Sequence, residues 1–146
     1  MNSHNSATIA FSAECGGRDA TAAVMPHFRA LKSAAKGITL CDFPYPELAF
    51  ILRVDGDIRQ YGFSGTGNPE IDSEGKYIAI DIGVSMEDRN DIPSCIISAI
   101  VDSVPIVAAA LNYQGIDWFN ADTLKAPLEA LCKQYSEACG SYISRG

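Results

Sequence analysis

Two histidines, five cysteines and a scatter of carboxylates are the groups in this sequence that could do chemistry, and their spacing limits what that chemistry could be. His4 lies in a polar N-terminal stretch, so a Ser-His-Asp or Cys-His site would rest wholly on His27. No cysteine, serine or second histidine stands at helical spacing beside His27, which points to a structural role on a helix. A histidine-based zinc or iron site is equally short of ligands. Cys132 and Cys139 are seven apart, two helical turns, and face the same way. Zinc-binding cysteines are spaced more closely, so this pair reads as part of a core stripe with Leu128 and Tyr135.

Two glycine-rich or acidic stretches look like ligand loops and fail on inspection. Gly62-Phe63-Ser64-Gly65-Thr66-Gly67 lacks the Gly-Lys-Ser/Thr ending of a phosphate loop and runs into a proline and acidic residues, not a helix N-terminus. Asn68 to Gly75 carries Glu70, Asp72 and Glu74, but its glycine is misplaced for an EF-hand and no helices flank it, so a solvated acidic turn is expected. Asp55, Asp57 and Asp81 are carboxylates that could meet in space, yet nothing in their spacing raises them above ordinary surface acids. The sequence therefore predicts no catalytic residue, no metal ligand set and no cofactor.

What stands out is where the charge lies. The chain has a net charge of −7, and Asp55 to Asp91 holds nine acidic against three basic residues, nearly all of that excess. One reading is a solvated rim with Asp91 capping a helix. The other is an electronegative patch that steers and docks a basic partner, carried by Asp55, Asp57, Glu70, Asp72, Glu74, Glu87 and Asp88. Aromatics on or near the same elements (Phe43, Tyr45, Tyr61, Phe63, Trp118, Phe119) would supply anchors where exposed. Nucleic acid is disfavoured as a partner, because phosphate neutralisation needs the opposite sign, and so is an anionic membrane surface.

The elements that must position these residues follow from periodicity. Ala7 to Ala13 reads as a strand ending at Cys15-Gly16-Gly17, and Asp19 to Lys36 as a helix with Val24, Phe28, Leu31 and Ala35 on one face and Gly37 as its stop. Pro26 should kink that helix or mark its true start. Ile38 to Phe43 is a second strand. Leu48 to Val54 and Asp57 to Phe63 flank Asp55-Gly56, the dipeptide of a tight hairpin. After a loop from Ser64 to Gly75, Lys76 to Val84 alternates, with Ile78, Ile80, Ile82 and Val84 on a core face and Tyr77, Ala79, Asp81 and Gly83 on a partly wet one.

Asp91 and Pro93 open an apolar helix that Pro105 should kink or divide, and its apolar run from Ile92 to Leu111 reads as a buried helix, not a membrane span. After a turn at Gln114-Gly115, Leu124, Leu128, Leu131, Tyr135 and Ala138 stripe a last helix ended by Gly140. The order β-α-β-β-β-β-α-α predicts an α+β two-layer sandwich, with a mostly antiparallel sheet and helices packed on one face. With 146 residues, 47% of them hydrophobic and 20% charged, it is expected to form one domain over 1–146 with a disordered tail at 1–6. The five cysteines are odd in number, lack CxxC spacing and sit mostly in apolar surroundings, as reduced thiols of a cytoplasmic protein would; no signal peptide is read at the N-terminus.

In size, acidity and lack of a catalytic site the chain resembles bacterial immunity proteins, those encoded beside contact-dependent growth inhibition and other polymorphic toxins. The resemblance lies in the build of the whole chain and in no motif, so it carries over no functional residue. It implies a protein-protein interaction in which a toxin inhibitor covers a toxin domain, often a basic nuclease. Two other classes are kept beside it: a small hydrolase or isomerase built on Asp and Cys residues, and a ligand-binding regulatory module. The α-β-β-β-α order is also that of double-stranded-RNA-binding domains, but those need basic loops and a basic helix start, and Asp91 and Asp122 stand at the corresponding places.

Overall fold

The computed structural model describes residues 6–15, 18–55, 65–85 and 92–144. Its elements run β1 (Ala7–Cys15), α1 (Arg18–Ala35), β2 (Thr39–Leu40), β3 (Glu47–Asp55), β4 (Gly65–Ile71), β5 (Tyr77–Ser85), α2 (Ile92–Tyr113) and α3 (Asp122–Ser144). The α+β class and the order of elements are those expected. The sheet differs in kind. Its strand order is β2-β1-β3-β5-β4, with β1, β3 and β5 parallel and only the outer pairs β1–β2 and β4–β5 antiparallel. The expectation of a mostly antiparallel sheet treated successive strands as neighbours. A parallel pair needs a crossover of a dozen or more residues. The 18 residues of α1 supply one between β1 and β3, and the segment containing β4 supplies the other.

The same topology corrects the hairpin at Asp55-Gly56. Both edges of β3 are taken along its length, by β1 on one side and β5 on the other, where a hairpin needs one edge free. The segment expected to form the second arm, 57–63, lies for that reading outside the described residues. Instead β4 forms at Gly65–Ile71, inside the span read as a loop, and joins β5 through a turn. There the Tyr77 carbonyl accepts from the Asp72 N–H (3.0 Å), the Asp72 carbonyl accepts from the Gly75 N–H (3.0 Å), and Gly75 takes the left-handed backbone (φ 73°) that only glycine adopts freely.

Helices pack on one face of the sheet. Ile9 and Phe11 of β1, Leu48, Phe50 and Leu52 of β3, and Ile78, Ile80, Ile82 and Val84 of β5 are buried in one core with residues of all three helices. Burying each such side chain is worth about 1.5–3 kcal/mol. In α1, Val24, Leu31 and Ala35 face this core, with Phe28 packed against it. The prolines do not divide the helices. Pro26 lies inside α1 and Pro105 inside α2, and α3 runs past Gly140 to Ser144.

α2 is long and apolar enough to cross a membrane, with a mean hydropathy of 2.0 over its richest window. In this fold Ile92, Ile96, Ile100, Val104, Val107 and Leu111 lie in the core under β4 and β5. Its buried Ser103 hydroxyl donates to the Ile100 carbonyl at 2.6 Å, so the polar group carries no penalty. α2 ends in a Schellman motif, with Gly115 N–H donating to Asn112 O and Ile116 N–H to Leu111 O (both 2.9 Å) and Gly115 at φ 85°. α3 opens on Asn120, whose Oδ1 accepts from the Asp122 N–H at 2.9 Å.

Candidate functional site

With the helices on one side, no described element packs on the other side of the sheet. Alternation along the parallel strands decides what stands there. The register sets Thr8, Ala10, Ser12 and Glu14 of β1 beside Glu47, Ala49, Ile51 and Arg53 of β3, and those beside Tyr77, Ala79, Asp81 and Gly83 of β5. Glu70 of β4 pairs with Ala79 and so belongs to the same face. No described helix covers it. The middle row, Ala10, Ala49 and Ala79, is a floor of small side chains, and the charges stand around it.

Arg53 organises that charge. Its guanidinium pairs with the Glu14 carboxylate through Nη1 and with Asp81 through Nε at 3.2 Å. Its side chain is 21% exposed, against 64% for Glu14 and 31% for Asp81. The cation is thus drawn down between two strands and held, while the acids reach outward. Among the described residues of this face, four carboxylates (Glu14, Glu47, Glu70 and Asp81) stand against one guanidinium.

Of the residues expected to bind a partner, Glu70 is exposed on this face. Asp72 and Glu74 lie in the β4–β5 turn at the end of the sheet. Asp72 Oδ2 accepts from the Lys76 N–H at 3.1 Å, so this carboxylate shapes the turn, and Glu74 pairs with Lys76 Nζ at 3.0 Å. Asp55 ends β3, paired with Ser85. Asp57, Glu87 and Asp88 lie outside the described residues. Glu14, Glu47 and Arg53 were missed, although each falls at the position that alternates with the buried residues of its strand. Among the expected aromatic anchors, Phe43 is buried against Phe119 (5.7 Å between rings), Trp118 is 57% exposed, and Tyr61 and Phe63 lie outside the described residues.

Two of the groups weighed for catalysis, His27 and Cys132, take part in packing. His27 sits half-buried on α1 with Nδ1 3.1 Å from the Tyr135 hydroxyl of α3, the two rings edge to face at 6.2 Å. Burial holds the imidazole below its ordinary pKa, which keeps the ring neutral and Nδ1 able to accept the phenol proton. Cys132 is buried on the α3 stripe, and burial, with the Glu129 carboxylate adding to it, pushes its thiol up to about 11. Cys41 is exposed. No group of three or more metal-ligating side chains gathers among the described residues. No family model, no curated protein and no solved structure matches this chain.

Proposed function

We propose that this chain is an immunity protein that binds a cognate toxin domain in the cytoplasm and neutralises it, docking a basic surface of the toxin on the open face of the sheet. The observation that carries this reading is the gathering of Glu14, Glu47, Glu70 and Asp81 on a face that no described helix covers. Clustered like charge of this kind raises the rate at which an oppositely charged partner is captured and fixes its orientation. Size supports the same use. Three strands of nine residues (β1, β3, β5) and one of seven (β4), about 4.8 Å apart and about 3.3 Å per residue, offer roughly 550 Å². A standard protein interface takes about 800 Å² from each partner. The face thus supplies most of one side, with the β4–β5 turn at its end available for the rest.

Co-expression with the toxin domain encoded beside this chain tests the role. The immunity reading expects growth to be restored and the two proteins to purify as one complex. Growth arrest with the chain abundant and folded would sink it.

A further inference from the structure

The two edges of the sheet are built differently. β4, at one edge, carries Pro69, which has no N–H, and its pairing with β5 shifts register between Thr66 and Pro69. Proline and bulges are the devices by which proteins stop an edge from accepting another strand. At the other edge β2 pairs with only two residues of β1, Ala7 and Thr8. The chain then turns away through Asp42, which takes a left-handed backbone at φ 58°. From Ile9 onward β1 has, among the described residues, a strand on one side only, and its sequence there, Ile-Ala-Phe-Ser-Ala-Glu-Cys, contains neither proline nor lysine.

The direction of the open groups follows from one hydrogen bond. Thr8 N–H donates to the Pro46 carbonyl at 3.0 Å, toward β3. In a parallel ladder alternate residues turn both N–H and C=O to the same neighbour. Ala10, Ser12 and Glu14 therefore bond β3, while Phe11 and Ala13 aim theirs outward, where no described strand pairs with them. Beside that edge, Glu14 stands exposed on the open face.

We propose that the β1 edge accepts an extended basic segment of a partner protein as a sixth strand. Main-chain bonds to Phe11 and Ala13 would hold it, its apolar side chains would lie on the helix side, and its lysines or arginines would flank Glu14. A second copy of this chain is the poorer occupant, since it would bring another charge of −7 to an acidic face. The sign of the partner's charge rests on the acidic-face reading above; the strand addition rests on the edge alone.

The test uses two soluble peptides of about ten residues, long enough for one strand, alternating valine with lysine or valine with glutamate. Amide hydrogen exchange is followed residue by residue in the full chain. The lysine peptide should slow exchange at Phe11 and Ala13 about tenfold, leaving Ala10 and Ser12 unchanged. Ala13→Pro, which removes an outward N–H and spares the β3 ladder, should weaken peptide binding about threefold to tenfold, the worth of one hydrogen bond. Should that variant fail to fold, the exchange pattern in the unaltered chain decides. No added protection at Phe11 and Ala13 would overturn strand addition while leaving the acidic face to its own test. Equal protection by the glutamate peptide would overturn the basic occupant.

Discussion

At the scale of single residues, His27 and Cys132 take part in packing. His27 and Cys132 could be read that way from spacing alone: one lacks partners at helical intervals, and the other repeats with Leu128 and Tyr135. The structure adds their burial, nearly complete for Cys132 and partial for His27. A thiol raised to about 11 is almost wholly protonated near neutrality, and the thiolate is the nucleophile. Labelling with a thiol reagent at pH 7.5, followed by peptide mapping, should modify exposed Cys41 within minutes and leave Cys132 unmodified until denaturant is added. Labelling of Cys132 as fast as Cys41 in the native protein would contradict its placement. Glu14, Glu47 and Arg53 could not be found by looking for charge in a window, because each is an isolated charge in a mostly apolar strand. Only the register of β1 on β3 makes neighbours of Glu14 and Arg53.

At the scale of elements, hydrophobic period carried far. It placed β1, α1, β3, β5 and the two last helices within a few residues and gave their order. It failed where tertiary pairing overrode local chemistry. Gly65–Ile71 is rich in glycine, asparagine and proline, poor strand formers, yet it becomes β4 because β5 offers it an edge. Gly140 is passed by because the Leu124 to Tyr135 stripe is anchored in the core and the helix continues beyond it.

The joint between α1 and α3 also carries a pH dependence. His27 has its folded pKa below the unfolded value of about 6.5, so the unfolded chain takes up a proton first. Stability from this joint is full above pH 6.5 and is lost as pH falls through the lower folded pKa. Melting temperatures from pH 7.5 to 5.5 should therefore drop, and His27→Gln should flatten that drop. An equal drop in the variant would show that the ring's protonation is not what the joint feels.

At the scale of the whole molecule, the acidity visible in the sequence is distributed differently from what the window of Asp55 to Asp91 implied. Part of that window shapes a turn, through Asp72 and the Glu74–Lys76 pair. Part lies outside the described residues. What the fold adds is a face, drawing acids from β1, β3, β4 and β5 onto one side of a sheet whose other side is core. The expected α+β sandwich was enough to predict that such a face exists. It was not enough to say which charges stand beside one another, because a parallel register and an antiparallel one align different residues.

Capture of a basic protein is the role proposed for this face. It is tested through the association rate with the toxin domain proposed as its partner, measured by stopped flow against ionic strength for the unaltered protein and for Glu47→Gln combined with Glu70→Gln. These two acids are chosen because they leave the Arg53 pairs with Glu14 and Asp81 intact. The rate should fall steeply as salt rises, and the variant should be about threefold to tenfold slower at low salt with little change at high salt, where screening shortens the reach of charge to a few ångströms. A rate indifferent to both salt and the two substitutions would contradict it.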